Sequence, residues 1–192
     1  MLAIADASVV GNLPSLSSAD ADAVRRAVRY LYDLGHRQIA RVGGPESLAH
    51  SYIRDSAFAD VASELGMRYR CLHTDYTPET GREATKRLLA FSEHPTAIIY
   101  DNDVMALAGL GVAASQGIKV PEEISIMSWD DSLMCTAAYP NLTAMGRDVV
   151  DTGKQAAGLL LKLIGGERVG HLMEGPYELR ARASTGPAPA GE

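Results

Sequence analysis

The sequence is poor in cysteine, in long apolar runs and in basic charge, and each shortage excludes a class of protein. Its two cysteines, Cys71 and Cys135, lie far apart and outside any metal-ligand spacing, so we expect two reduced, packed thiols. No apolar run approaches the roughly 20 residues of a membrane span, and the N-terminus lacks the charged start of a signal peptide. The 18 basic and 24 acidic residues give a net charge of −6, which disfavours a broad phosphate-binding surface. We therefore expect a cytoplasmic chain that by itself binds neither membrane nor nucleic acid.

What the sequence does contain is a repeated pattern in which a short apolar run ends in polar, mostly acidic residues just before a helix start. The pattern occurs at 39–42 before Gly43, Gly44 and Pro45, at 69–74 before Asp75 and Tyr76, at 97–100 before Asp101, Asn102 and Asp103, and at 124–129 before Asp130 and Asp131. Alternating strands and helices predict an α/β fold with right-handed crossovers and a parallel sheet. The carboxyl ends of such strands share one edge, where α/β proteins bind ligands. The pattern therefore indicates a small-molecule receptor, or an enzyme that uses that edge.

Helix start and stop signals predict where the helices lie. Apolar spacing and stop residues place them at about 20–34, 49–65, 78–91, 103–116 and 149–164. Ser17 and Ser18 with Asp20 are candidate caps of the first helix, and Thr77 followed by Pro78 is a strong start signal for the third.

The remaining segments are less regular. We expect an irregular segment over 132–141, a short strand at 142–145, further strand candidates within 172–179 and a frayed end from Ser184 onward. Residues 2–5 also have the composition of a buried strand, but no preceding residues can supply its neighbours, and a lone strand is not stable. Residues 1–18 and the helix after 148 therefore either pack on the main sheet or belong to a second, incomplete lobe, and we favour the second alternative.

Several short stretches follow one another in a characteristic order along almost the whole chain. They are LGHRQIA at 34–40, GGP at 43–45, Arg54 with Phe58, PTAIIYDNDVMA at 95–106, GIKVPEEISI at 117–126, Asp130 with Asp131, PNLT at 140–143 and ELRARAST at 178–185. In this order and spacing, the chain resembles the effector-binding core of the LacI/GalR family of bacterial transcriptional regulators.

The resemblance implies a periplasmic-binding-protein-like fold, in which two α/β lobes joined by crossover strands surround a cleft. It assigns 19–146 and a closing strand at 178–185 to the C-terminal lobe, 1–18 and 147–177 to remnants of the N-terminal lobe, and 186–192 to a disordered tail. It also implies a small-molecule effector, a sugar or a sugar-like compound, with no cofactor and no enzymatic activity. The parent protein would be a homodimer that binds operator DNA only through an N-terminal helix-turn-helix, which this chain lacks.

The same resemblance implies candidate effector-binding residues. Asp130 occupies the position of a family acid that accepts hydrogen bonds from ligand hydroxyls, a role that suits an ionised carboxylate. Arg54 corresponds to an arginine whose planar fork reaches the ligand, Asn102 to a hydrogen-bonding asparagine, and Tyr76 to an aromatic residue that stacks on the ligand. Each also has a structural alternative: a turn residue, a solvated helix arginine, a helix cap and a core tyrosine, respectively. Because adjacent strand residues point to opposite sides, we expect Asp131 to bond backbone amides instead.

Other positions are weaker candidates or depart from the family pattern. Asp6 and Arg147 lie where some relatives contact the ligand from the crossover region. His50 replaces a small hydroxyl residue one turn before Arg54 and is either a pH-sensitive ligand contact or an exposed histidine. Trp129 either fills the core or forms a wall of the pocket. These departures leave the effector open, since the two arginines suit an acidic or phosphorylated ligand as well as a neutral sugar.

Two alternatives from other classes remain at this stage. Acids at the strand ends could bind Mg²⁺ in a phosphoryl-transfer enzyme, although Lys86, Lys119, Lys154 and Lys162 are predicted mid-helix or in a loop, away from that edge. The solute-binding protein of a sugar transporter would have the same two lobes and no DNA partner. It would also carry an export signal upstream of this chain.

Overall fold

In a computed structural model that describes residues 1–4 and 11–190, the chain forms two β-sheets. The strands are β1 Ala3–Ile4, β2 Ser15–Ser17, β3 Gln38–Gly43, β4 Arg68–His73, β5 Ala97–Tyr100, β6 Ser125–Trp129, β7 Thr143–Gly146, β8 His171–Met173 and β9 Glu178–Arg180. The larger sheet has the strand order β4-β3-β5-β6-β7-β9 and is parallel except for the antiparallel pair of β7 and β9. The smaller sheet is parallel, with the order β1-β2-β8.

Helices connect these strands. Those in the described part of the chain are α1 Asp20–Asp33, α2 Ala49–Glu64, α3 Pro78–Leu89, α4 Asp103–Ser115, α5 Leu133–Ala137 and α6 Val149–Ile164. The start signal at Thr77 is confirmed, because its side chain accepts a hydrogen bond from the Thr80 amide. Capping of α1 by a serine is wrong: Ala19 precedes the helix, no side chain caps it, and the Ser18 hydroxyl donates to the Asp20 carboxylate instead.

Most predicted elements agree with the observed ones to within two residues at either end. The strand predicted at 142–145 is β7, one residue further along the chain. The segment 132–141 is not wholly irregular, because the Ser132 side chain accepts a hydrogen bond from the Met134 amide and starts the short helix α5. Local capping chemistry therefore produced a helix that apolar periodicity could not reveal.

The larger sheet is covered on both faces, as parallel strands require. Alternate residues of its central strands point to opposite sides. Ile39, Ile99 and Met127 pack with α1 and α2, whereas Ile98 and Ile126 pack with α3 and α4. This two-sided core holds the carboxyl ends of β3, β5 and β6 in fixed positions along one edge.

Gly109 in α4 is required by the close approach of a buried tyrosine. Tyr100 is fully buried, and its hydroxyl lies 2.7 Å from Thr85 Oγ1. A Cβ at position 109 would lie 2.3 Å from the Tyr100 hydroxyl oxygen. We expect Gly109→Ala to lower the free energy of unfolding in urea by about 1–3 kcal/mol, as overpacked cores do. The control is Gly111→Ala in the same helix, where a Cβ meets nothing within 4 Å; it should be stabilising, and equal losses in both variants would contradict the packing argument.

His36 ties the C-terminal segment to the sheet. The side chain is fully buried, with Nδ1 2.9 Å from Thr96 Oγ1 and Nε2 3.1 Å from the Gly186 carbonyl oxygen. The Ala188 amide donates to the carbonyl at the end of α1, at 2.8 Å. The prediction of a disordered tail beginning at 186 is therefore wrong for 186–188, where the backbone is hydrogen-bonded to the core.

Neutral His36 makes the fold sensitive to acid. Burial lowers the pKa of His36, and the hydrogen bond to the Gly186 carbonyl only partly opposes this shift. The unfolded chain therefore takes up a proton at a higher pH than the folded chain does. The contribution of neutral His36 to the free energy of unfolding is consequently complete above about pH 6.5 and is lost as the pH falls. We expect the free energy of unfolding to fall by at most about 1.4 kcal/mol per pH unit from this group. Urea unfolding between about pH 7.5 and pH 5.5 measures the slope, which should be shallower in His36→Asn; an unchanged slope would count against this residue.

The small sheet supplies the neighbours that the strand at the start of the chain needs. β1 pairs with β2, and β2 pairs with β8 in the register Ser15 to His171. The Ser15 hydroxyl oxygen lies 2.7 Å from Nδ1 of His171. The partners of β1 thus follow it in the sequence, and these segments form a sheet of their own instead of extending the larger one.

Both cysteines have free thiols, as the sequence predicts. Cys135 is buried and Cys71 is partly buried. Burial raises the pKa of Cys71 to about 12, which keeps this thiol protonated and unreactive near neutral pH. Across the described ranges, no helix has both the length and the apolar character needed to cross a bilayer.

Candidate ligand-binding site

A cavity of about 400 Å³ lies where the carboxyl ends of the strands of the two sheets face each other. The small sheet, the start of α1 and the connecting segments contribute Ile4, Leu16, Ser18, Asp20, Arg147, Glu174 and Tyr177 to its lining. The larger sheet and α2 contribute Ala49, His50, Ile53, Arg54, Tyr76, Asp101, Asn102 and Asp130. The edge predicted from the polar strand ends therefore borders a cavity, and six of the eight predicted site residues line it. Asp6 lies outside the described residues, and Trp129 lies behind the wall.

Asp130 presents the least satisfied charge in the cavity. It follows β6 in a left-handed conformation with φ of 65°, which aspartate adopts more readily than most residues. The side chain is reached by solvent, and among the described residues its carboxylate has no hydrogen-bond or ion-pair partner. Burial raises the pKa of Asp130, against the opposing charges of Arg54 and Arg147. Its carboxylate oxygens are therefore free to accept hydrogen bonds from a ligand.

Arg54 in α2 is held between two carboxylates. Its Nε lies 2.6 Å from Asp20 Oδ1, and its Nη1 lies 3.6 Å from Asp101 Oδ2. Burial alone would lower the pKa of Arg54, but the charges of Asp101 and Asp20 raise it. Its guanidinium lies 4.6 Å from the ring centre of Trp129, which is only 1% exposed. Of the two alternatives for Trp129, the core position is correct, and the ring acts on the cavity by supporting Arg54.

Asp101 is fixed from behind by Arg41, a residue that the sequence analysis did not single out. Arg41 is 1% exposed and donates to both carboxylate oxygens of Asp101, at 3.0 and 2.5 Å. It also pairs with Asp55, whose Oδ2 lies 2.9 Å from Nε2 of His73. Together with Arg54 and Asp20, these residues form an ion-pair chain from the edge of the sheet to the cavity. The sequence does contain a signal for this pair, since Arg41 interrupts the apolar run at 39–42. A buried arginine requires a paired acid, so its position predicts an acidic partner.

His50 and Tyr76 form one side of the cavity. Nε2 of His50 lies 2.7 Å from the Tyr76 hydroxyl oxygen. Burial lowers the pKa of His50, and the charge of Arg54 lowers it further, whereas Asp20 and Asp101 oppose this shift. His50 is therefore neutral near pH 7 and half-buried, and not a freely exposed histidine.

Asn102 holds the start of α4. Its side-chain oxygen accepts a hydrogen bond from the Met105 amide at 2.8 Å, and its side-chain nitrogen donates to the Tyr76 carbonyl at 3.2 Å. The helix-cap alternative is confirmed. Asn102 also lines the cavity. One side chain therefore both caps α4 and forms part of the cavity wall.

Arg147 brings a second arginine to the opposite side. Its Nη1 lies 2.5 Å from Glu174 Oε1, and the other oxygen of Glu174 accepts a hydrogen bond from Thr152 at 2.7 Å. Glu174 is 7% exposed, and its amide donates to the Ser17 carbonyl at the end of β2. Glu174 was missed because its partner Arg147 lies 27 residues away, and no local signal links the two.

The model of the periplasmic binding protein-like domain family matches residues 28–185, most of the chain. The chain belongs to this family. Its relatives are LacI-family regulators, as the sequence motifs implied. The HTH-type transcriptional repressor CytR of Escherichia coli strain K12 is 34% identical over 179 residues, covering 90% of this chain and 52% of the repressor. The chain thus spans about half the length of that relative.

Solved structures of LacI-family regulators have the same fold. A LacI family transcriptional regulator from Bifidobacterium animalis subsp. lactis DSM 10140 is 60% identical, with a TM-score of 0.95 over 97% of this chain and 69% of the other. The dimeric Lac repressor with an 11-residue C-terminal deletion is 27% identical, with a TM-score of 0.88 over 98% of this chain and 68% of the other. These relatives are transcriptional regulators, so they support neither the phosphoryl-transfer enzyme nor the transport protein.

The expectation for Asp131, which was drawn from the alternation of side chains along a strand, is wrong. Asp131 does not bond backbone amides: its carboxylate pairs with Arg180 at 2.6 Å and with Arg182 at 2.7 Å. These side chains pin β9 to the end of β6 and hold the pKa of Asp131 below its usual value. Asp130 and Asp131 nevertheless have separate tasks, as predicted, because one faces the cavity and the other closes the sheet.

Gly44 keeps the tyrosine wall of this LacI-type cavity in place. A Cβ at position 44 would lie 1.9 Å from the Tyr76 ring carbon that bears the hydroxyl. Because this is the far end of a side chain that can rotate, we expect Gly44→Ala to displace the ring and break its hydrogen bond to His50, with little loss of stability. The pKa of His50, followed by NMR titration, should shift in Gly44→Ala and stay unchanged in the control Gly111→Ala, where a Cβ meets nothing within 4 Å. A Tm loss as large as that of Gly109→Ala, with an unshifted His50, would contradict this expectation.

Proposed function

We propose that the chain is the effector-binding part of a LacI-family transcriptional regulator and that the cavity between its sheets binds a small polyhydroxylated effector, a sugar or a sugar derivative. The observation that carries the proposal is the Asp130 carboxylate, which lines the cavity and has no hydrogen-bond or ion-pair partner among residues 1–4 and 11–190. A carboxylate that protein donors leave unpaired can accept hydrogen bonds from a ligand that displaces its water. Adjacent sugar hydroxyls supply two donors at the spacing of the two carboxylate oxygens.

The other cavity residues have complementary roles in this proposal. The Tyr76 ring provides a flat apolar face for stacking, and His50 presents a neutral polar group beside it. Arg54 and Arg147 donate the N–H groups that their carboxylate partners leave free. Asn102 fixes the edge that carries Tyr76, and Trp129 supports Arg54 from below. Asp6 remains a proposed contact from the crossover region.

We propose the following division into lobes. Residues 19–146 and 178–185 form one lobe, and 1–18 with 147–177 belong to the other. Because residues of both sheets line the cavity, a ligand that contacts both would favour the arrangement in which they are closer. Such a population shift is limited by the difference in affinity for the two arrangements. In the whole regulator, a cytoplasmic homodimer, this shift would change operator binding through a helix-turn-helix outside this chain.

The experiment that tests the proposal is a thermal-shift screen of the chain against sugars, sugar phosphates and purines. A ligand at about 100 times its Kd stabilises the fold by about 2.7 kcal/mol, which is readily measured. We expect a specific hit that is lost in both Asp130→Ala and Arg54→Ala. A hit that both variants retain would place the binding site elsewhere and refute the proposed cavity.

A further inference from the structure

The two arginines of the cavity are not available to an anion, although their presence suggests an anion site. Arg54 is paired with Asp20 at 2.6 Å and with Asp101 at 3.6 Å. Arg147 is paired with Glu174 at 2.5 Å. Each cavity arginine is therefore already neutralised by an internal carboxylate, and a phosphate or carboxylate group on a ligand would have to compete with it.

The carboxylates that neutralise Arg54 cannot easily move aside. Asp101 is held by two hydrogen bonds from Arg41 and by the Gly44 amide at 3.4 Å. Asp20 accepts hydrogen bonds from the Ser18 hydroxyl and, at 3.4 Å, from the Tyr177 hydroxyl. The side chains of Asp20 and Asp101 are 6% and 0% exposed. Rotating either one into water would leave a cavity where it is now packed. Displacement of either group would also leave a buried charge without its partner.

The net charge around the cavity is negative. Four carboxylates line it, whereas the cations are the two cavity arginines and Arg41 behind the wall. Three of these carboxylates are paired with the three arginines. The fourth, Asp130, has no partner in the described part of the chain. His50 adds no positive charge near pH 7, because burial and Arg54 lower its pKa. An anionic ligand group would therefore meet a net negative charge, and both cavity guanidinium groups that it could reach are already paired with carboxylates.

We propose that Asp20, together with Asp101, is a specificity-determining residue that makes the cavity reject phosphorylated and carboxylated ligands and select uncharged ones. The proposal rests on the function proposed above, in that it treats this cavity as the effector site. It separates two effector classes that the sequence left equally open.

The test removes the charge of Asp20 and measures binding of inorganic phosphate by isothermal titration. In Asp20→Asn, Arg54 loses its closest carboxylate and becomes a receptor for an anion. We expect phosphate to bind this variant at least about tenfold more tightly than the wild-type chain, as one new charge-assisted hydrogen bond provides. Asp20→Glu, which restores the carboxylate, should return to wild-type affinity.

The matched control is Asp22→Asn. Asp22 lies in the same helix, its side chain is 77% exposed, and it pairs only with Arg25. This variant changes the net charge by the same amount but leaves Arg54 neutralised, so its phosphate affinity should equal that of the wild-type chain. Equal phosphate affinity in Asp20→Asn and Asp22→Asn, with both variants folded by circular dichroism, would overturn the proposal.

A second arm compares matched ligand pairs on the wild-type chain: ribose with ribose 5-phosphate, glucose with glucose 6-phosphate, and adenosine with AMP. The proposal expects the uncharged member of any responding pair to bind more tightly, and tighter binding of a phosphorylated member overturns it. If no sugar or nucleoside bound at all, the proposed function would fail. The phosphate arm would still decide the charge selectivity, because it needs no effector.

Discussion

Arg41→Met should lower the free energy of unfolding by about 3–5 kcal/mol, the cost expected when one partner of a buried ion pair is removed. Within the described ranges, the variant leaves the Asp101 side chain, which is 0% exposed, with the 3.6 Å contact to Arg54 and a long hydrogen bond from Gly44. For a chain of this length, each kcal/mol corresponds to roughly 2–4 °C in Tm. Urea and thermal unfolding both measure the effect.

Two further variants separate the lost ion pair from the lost volume. Arg41→Met combined with Asp101→Leu leaves no unpaired charge at position 101 and should recover part of the stability. The recovery is partial because Asp55, whose side chain is 25% exposed, also loses its pair with Arg41. Arg68→Met breaks an exposed pair with Glu93, which lies between α3 and β5, and should cost about 0–1 kcal/mol. The burial argument would be refuted if Arg41→Met cost no more than Arg68→Met.

Asp130→Asn should weaken effector binding by about 10- to 100-fold, the range for losing a hydrogen bond to a charged group, while the fold becomes no less stable. Asparagine tolerates the left-handed backbone at this position. Burial raises the pKa of Asp130. The folded chain therefore binds this proton more readily than the unfolded chain does, and the ionised form opposes folding above that pKa. Calorimetric titration of the screening hit and thermal unfolding test the two halves of this prediction.

The neighbouring residue provides the reverse pattern. Asp131→Asn weakens the ion pairs to Arg180 and Arg182 and should lower the Tm while leaving effector affinity unchanged. If Asp130→Asn destabilised the fold and kept its affinity, Asp130 would be a structural turn residue and the proposed site would be wrong.

Strand ends and helix starts could be predicted because their signals are local. The run at 97–100 and the cap at Thr77 each depend on residues within a few positions, and both were observed as predicted. The parallel arrangement then brought Tyr76, Asn102 and Asp130 to one edge, as strand polarity requires.

The pairing of buried charges could not be predicted, because it depends on contacts between distant segments. Nothing near Asp20 indicates that Arg54 will contact it, and Glu174 reaches Arg147 only after the chain has passed through α6 and β8. The same limit explains the wrong expectations. Asp131 pairs with arginines in and just after β9 instead of bonding amides. The segment 186–188 is ordered because Gly186 contacts the buried His36.

The small sheet has a consequence for the order in which the chain can fold. Ser15 in β2 pairs with His171 in β8, 156 residues later, and the cavity takes its walls from positions between Ile4 and Tyr177. Closing such long loops precedes any gain from the contacts, which slows folding. A chain still being synthesised therefore lacks part of the cavity wall until Tyr177 has left the ribosome. A ligand that needs both sheets consequently cannot assist the earlier steps of folding.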